Sequence, residues 1–227
     1  MIRHSIWKPF VAFASLLALL LAPVMLGKTL RAAENREIVI VALGDSLTAG
    51  YQLPPTAAFP VQLETALRAR GANVKVINAG VSGDTSGDGL ARLDWSMPDN
   101  ADAVILELGA NDALRGNPVA TAKQSLEAIM EKLKERKLPV LIAGMEAPRN
   151  WGADYQLAFH YIYPELASKY DALLYPFFLE GVALDRSLTL PDGMHPTQQG
   201  VARIVEGILP HVEQLIARVE KKRSEPS

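Results

Sequence analysis

The sequence contains no cysteine. Disulfides, thiol chemistry and a lipid-modified cysteine anchor are therefore excluded, and a cysteine-free chain suits an oxidising compartment without fixing one. Excess charge is also missing. Lys and Arg number 23 against 25 Asp and Glu, a formal net charge of −2. Such a chain has no bulk electrostatic reason to bind nucleic acid, so a small-molecule or lipid-like substrate is expected. The first strand is followed by neither a GxGxxG fingerprint nor a phosphate-binding P-loop. Repeats, low-complexity tracts and a heptad seam are absent as well, and a monomer is expected. What remains is ordinary globular composition, 49% hydrophobic and 21% charged over 227 residues, enough for one α/β domain with a sizeable core.

The N-terminal segment reads separately. Arg3, His4 and Lys8 precede an apolar run from Phe10 to Leu26, and small residues Ala32 and Ala33 lead into polar Glu34 to Glu37. This layout predicts a signal peptide over 1–33, a single globular domain over 34–219 and a polar, frayed tail over 220–227, and hence export to the periplasm or medium. Leu30 or Arg31 would occupy the small-residue position upstream of the cleavage site. The alternative is an uncleaved anchor, because the run approaches the ~20 apolar residues of a spanning helix. Membrane contact is expected only through that segment.

Past it, apolar runs and helical periodicities alternate. Glu37 to Leu43, Asn73 to Ile77, Ala103 to Leu108 and Pro139 to Gly144 predict buried strands, with a short fifth over Asp171 to Tyr175. Pro60 to Arg70 predicts a helix, and Asn117 is expected to cap another with Pro118 at its first position. A third, over Asp154 to Lys169, should be interrupted by Pro164. A long C-terminal helix from Gln198 to Val219 should be kinked or split by Pro210. The alternation specifies a parallel sheet covered by helices on both faces, with ligands bound at the carboxyl ends of the strands.

Acyl transfer needs a nucleophile, a base, a group that orients the base, and donors for the oxyanion. Ser46 follows the first strand and its turn. It reads either as a nucleophile or as the cap of the helix that begins there. Of the four histidines, His4 is in the leader, and His160 and His211 fall in helices. His195 sits in a loop bounded by prolines, three residues after Asp192, so one turn can bring that carboxylate to the imidazole. A surface turn would leave the same local pattern. Asn111 offers a side-chain amide, and Gly80 and Ser46 offer backbone N–H groups. A turn glycine and an Asx-turn are the plainer alternatives for Gly80 and Asn111.

Taken together these segments resemble the SGNH, or GDSL, hydrolases. Gly44-Asp45-Ser46-Leu47 is similar to the nucleophile block, Gly80 stands in the likeness of the second block, Gly109-Ala110-Asn111-Asp112 resembles the third, and Asp192-Gly193-Met194-His195-Pro196 the fifth. The resemblance runs from about Glu37 to about Val212. It is closest to the bacterial periplasmic subgroup of acyl-CoA thioesterase I, lysophospholipase L1 and arylesterase, through Gly83-Asp84-Thr85-Ser86, Leu114-Arg115-Gly116, Ile162-Tyr163-Pro164 and Pro176-Phe177-Phe178. It implies a flavodoxin-like three-layer α/β/α fold with five parallel strands and a serine esterase acting on esters, thioesters or lysophospholipids through an acyl-enzyme on Ser46. It further implies Asp192 and His195 as partners, an oxyanion hole of Ser46, Gly80 and Asn111, and neither metal nor cofactor. By the same likeness Ala113 to Pro118 is expected as a mobile loop by the acyl site. Asp45, Asp112, Ala113, Leu114, Arg115, Ala147 and Pro148 are the candidate substrate contacts, with a turn role favoured for Asp45 and a structural one for Asp112. Ala147 stands where a larger apolar residue is expected.

Three other readings compete. A metal-dependent phosphoesterase would use Asp45 and Asp112, but two-metal hydrolysis needs more converging histidines and carboxylates than these loops supply. A non-catalytic binding protein of the same fold leaves Ser46, Asn111 and His195 unexplained. A carbohydrate deacetylase would share the chemistry and stack sugars on Trp95, Trp151 or Tyr155, for which packing is the plainer role.

Overall fold

The structure is a computed structural model in which residues 36–225 are described. The expected signal peptide lies outside the described residues. Glu37–Lys222 forms one compact unit.

Five strands form a single parallel sheet: β1 (Ile38–Gly44), β2 (Val74–Gly80), β3 (Ala103–Glu107), β4 (Val140–Ala143) and β5 (Leu173–Tyr175), in the order β2-β1-β3-β4-β5. β1 lies between two neighbours and under helices, so every one of its residues is buried, as a continuous apolar run requires. The chain steps from β1 outward to β2, then crosses back to β3 and onward. The order therefore reverses between β1 and β3, and that is where an open sheet parts to form a crevice.

The helices are α1 (Ser46–Ala49), α2 (Phe59–Ala69), α3 (Ser86–Ala91), α4 (Leu93–Ser96), α5 (Ala110–Arg115), α6 (Val119–Glu135), α7 (Ala153–His160), α8 (Ile162–Tyr170) and α9 (Gln198–Ser224). α2 and α9 share one layer: Gln62 Nε2 donates to Gln198 O at 3.1 Å and Arg70 pairs with Glu213. α6 and α8 share the other, tied by Lys123–Glu165 and Lys169–Glu127. On α9, Val201, Ile204, Val205, Ile208, Leu209, Val212, Leu215, Ile216 and Val219 are all buried. Each such side chain contributes about 1.5–3 kcal/mol by leaving water, which is why this amphipathic face docks.

The expected fold is observed, with local differences. The helix expected over Asp154 to Lys169 divides at Tyr161, and Pro164 falls in the first turn of α8, where it removes no intrahelical bond. Pro210, by contrast, does not split α9, which continues to Ser224 through most of the expected tail. Pro210 is exposed, while Ile208, Leu209 and Val212 around it are buried, so packing on both sides outweighs the lost hydrogen bond. Asn117 does not cap α6. Pro118 is the cap residue, and Asn117 instead closes α5, giving its N–H to Asp112 O at 2.9 Å.

An interior proline costs a helix about 3 kcal/mol, partly offset by its stiffening of the unfolded chain. Pro210→Ala should therefore raise unfolding stability by about 1–3 kcal/mol in urea titrations. A loss of stability would mean that the ring is packed rather than merely tolerated.

Candidate active site

β1 ends at Gly44 and α1 starts at Ser46, so one residue makes the turn. That residue, Asp45, is the helix cap: its Oδ1 accepts the Leu47 N–H at 2.9 Å. Capping is therefore not the work of Ser46, whose Oγ lies 2.9 Å from His195 Nε2. His195 Nδ1 is 2.7 Å from Asp192 Oδ2, so the carboxylate holds the proton on Nδ1 and leaves Nε2 to accept from the serine hydroxyl. The structure thus joins Ser46, His195 and Asp192 in one hydrogen-bonded row across 149 residues of chain. His160 is paired instead with Glu146, and His211 packs on the Tyr175 ring.

The histidine loop is stiff for local reasons. Asp192 Oδ1 accepts the N–H groups of Met194 and His195 at 2.9 and 3.0 Å. Leu190 N–H donates to His195 O at 2.7 Å, and Gly193 adopts φ +72°. The Tyr51 ring lies against the imidazole, with centroids 4.5 Å apart. Partial burial would raise the Asp192 carboxyl, but the His195 and Met194 N–H groups and the imidazole outweigh it and hold it at about 2.

Asn111, in the first turn of α5, sends Nδ2 to Asp84 O at 2.9 Å and to Asp45 Oδ2 at 3.2 Å. Burial pushes the Asp45 carboxyl up to about 6, against the opposing pull of the Leu47 N–H. Beneath it the Glu107 carboxyl, wholly buried, is pushed well above the usual range by burial and then by Asp45. Arg92 binds the loops together, pairing with Asp84 and donating Nη2 to Gly44 O at 2.8 Å.

Gly80 is a correction. β2 runs on through Gly80 rather than ending at Ile77. The Gly80 N–H donates to Asn78 Oδ1 at 3.0 Å, and a Cβ on Gly80 would stand 2.3 Å from Ala49 N. Its smallness serves packing against α1, and it has no N–H to spare for a ligand. The loop glycine is Gly83, with φ +91° and open space where a Cβ would be. Its carbonyl is held by Arg115 Nη2 at 2.8 Å, its N–H has no partner among the described residues, and it immediately precedes Asp84, to which Asn111 is tied. Placing the end of β2 three residues further on would have singled it out.

Ser46 and His195 open onto a cavity of about 290 Å³ lined chiefly by apolar side chains, among them Leu47, Leu114, Met145, Phe177, Leu184 and Met194. Of the expected contacts, Leu114 and Pro148 line it, with Asn111 at its wall. Asp45, Asp112, Ala113 and Ala147 are buried outside the lining. Asp112 accepts the Ser86 N–H and hydroxyl at 2.7 and 3.0 Å, a structural role. Arg115 reaches Gly83 rather than the cavity. At the Ala147 turn it is Glu146 that borders the crevice. The segment expected as a mobile loop, Ala113 to Pro118, begins inside α5 and is tied by Tyr155 OH to Asn117 O at 2.7 Å. Trp151 and Tyr155 continue an aromatic row through Phe159 to Tyr163, and Trp95 stands in solvent, so none of the expected sugar platforms lines the crevice.

A model of the GDSL-like Lipase/Acylhydrolase family matches residues 42–203. An arylesterase of Vibrio mimicus is 39% identical over 178 residues, covering 78% of this chain and 89% of that one. Thioesterase 1/protease 1/lysophospholipase L1 of Escherichia coli strain K12 is 36% identical over 189 residues, covering 83% and 88%. Among solved structures, the SGNH-hydrolase family esterase AlinE4 is 50% identical, covering 79% of this chain and 96% of that one, with a TM-score of 0.67. TesA is 34% identical, covering 78% and 99%, with a TM-score of 0.74.

The depressed Asp192 carboxyl makes a signed prediction. Its folded value of about 2 lies below the ordinary 3.8, so the stability it contributes is complete above about pH 4 and is lost as pH falls through about 2. Asp192→Asn should lower the denaturation midpoint at pH 7 and converge with the wild type towards pH 2. An equal gap at both pH values would contradict the assignment.

Proposed function

The chain belongs to the GDSL-like lipase/acylhydrolase family, and we propose that it is an exported serine esterase that hydrolyses carboxylic ester and thioester bonds through an acyl-enzyme on Ser46. The observation that carries this reading is the unbroken row from Asp192 through His195 to Ser46, at 2.7 and 2.9 Å. His195 Nε2 takes the Ser46 proton as Oγ attacks the carbonyl. Asp192, ionised throughout the neutral range, steadies the imidazolium that forms. His195 then protonates the leaving alcohol or thiol, and a water repeats the sequence to release the acid.

For the oxyanion, the Ser46 N–H, the Asn111 amide and the Gly83 N–H are the proposed donors, Gly83 taking the place expected of Gly80. Asn111 keeps one hydrogen on Asp84 O. The longer contact, to Asp45, is the one that yields to the developing charge. The apolar crevice supports an acyl chain as its occupant, and the relatives named arylesterase and lysophospholipase support aryl esters and lysophospholipids as substrates. The deacetylase reading loses support because the aromatic candidates lie off the crevice.

Ser46→Ala should lower kcat on p-nitrophenyl esters on the order of 10⁶-fold, by analogy with nucleophile deletion in another serine hydrolase. Asn111→Ala should cost about 10²–10³-fold, as for one oxyanion donor. Near-wild-type turnover by folded Ser46→Ala would refute the mechanism. Export rests on the layout of the N-terminal segment. Intact mass of protein isolated from the native envelope should place the mature N-terminus near Ala32 or Ala33, and retention of the whole segment would overturn cleavage.

A further inference from the structure

Glu107 is the last residue of β3, after Ala103, Val104, Ile105 and Leu106, all buried and apolar. Packing alone calls for another aliphatic side chain there, because a buried carboxyl loses its hydration. The carboxyl is nevertheless wholly enclosed, and Oε1 has no hydrogen-bond partner among the described residues. Its other oxygen, Oε2, is fully used. It accepts the Thr48 hydroxyl at 2.7 Å and the Asp45 N–H at 3.3 Å. These two donors bracket Ser46, one residue before it and two after.

The strand opposite has been cleared for this contact. Gly44 pairs with Glu107 across the sheet, and a Cβ on Gly44 would stand 2.6 Å from Oε2 and 2.1 Å from Thr48 Oγ1. Asp45, whose backbone Glu107 holds, caps α1 through Leu47 and accepts the Asn111 amide. One buried carboxyl thus underlies both the turn that carries Ser46 and the side chain that holds Asn111.

We propose that Glu107 is a positioning residue for the ester chemistry, bracing the Asp45–Thr48 turn from beneath so that Ser46 Oγ stays on His195 Nε2 and Asn111 stays at the crevice wall. The proposal rests on Ser46 being the nucleophile. Burial raises the Glu107 carboxyl above its usual range, and both of its contacts are hydrogen bonds accepted by Oε2, so glutamine, whose amide oxygen accepts in the same way, is the conservative replacement.

The test compares steady-state kinetics on p-nitrophenyl butyrate for the purified wild type, Glu107→Leu, Glu107→Gln, Thr48→Val, Thr48→Ser and Ser46→Ala. A brace predicts that Glu107→Leu and Thr48→Val lose about 10–100-fold in kcat with KM within about threefold, the scale expected for a misplaced reacting group. Glu107→Gln and Thr48→Ser should recover most of that loss. If Glu107→Leu fails to fold, the Thr48 pair decides. Wild-type kcat in a folded apolar variant would overturn the proposal. So would a loss confined to KM, or conservative variants no better than apolar ones. An active Ser46→Ala would instead sink the nucleophile reading itself.

Discussion

The close approach at Gly44 conditions everything around the crevice. β1 is an interior strand between β2 and β3, and its last residue is pressed against Thr48 and the Glu107 carboxyl at distances no side chain could share. The sheet therefore ends in a glycine, the chain turns within one residue, and α1 begins directly above the strand end. Had the turn been longer, Ser46 would stand away from the edge where β1 and β3 part. Glycine is required here for space rather than for a positive φ, which is instead adopted by Gly83 and Gly193, among other glycines, in the loops beside the crevice.

The polar groups divide their labour so that each reactive atom is left free. Asp45 caps α1, which releases the Ser46 hydroxyl for the imidazole. Asp192 satisfies two N–H groups of its own loop with one oxygen and the imidazole with the other. Asp112 anchors the start of α3 rather than facing the cavity. The carboxylates nearest the serine consequently have opposite character. Asp192, partly in water and amply hydrogen-bonded, is a stronger acid than an ordinary carboxyl, whereas Asp45 and Glu107, out of water, are weaker ones. The acyl crevice itself is left mainly to aliphatic, aromatic and thioether side chains.

Much of this was legible in the residues. Continuous apolar runs marked the strands, and the alternation of elements marked a parallel sheet whose carboxyl edge gathers the loops. Ser46, Asp192, His195 and Asn111 all fell on that edge. The apolar run stops at Ile77, but pairing with β1 carries β2 on through Asn78, Ala79 and Gly80, so Gly80 lies within the strand and Gly83 in the loop beyond it. Asn117 had the composition of a cap, but the preceding helix claimed it. Glu107 gave only one hint, a single acid inside an apolar strand, and nothing local says what lies beneath it.

The sequence by itself determined the periodicities, the turn at Gly44-Asp45 and the three-residue spacing that lets Asp192 reach His195, because these depend on neighbours along the chain. Tertiary structure alone decided which glycine N–H is spare, that Asp45 rather than Ser46 caps α1, and that Glu107, Thr48, Asp45 and Asn111 meet. Those outcomes depend on distances between segments tens of residues apart, which are fixed only when the sheet assembles and its buried polar groups compete for partners. Ser46 owes its availability to that competition as much as to its own place in the chain.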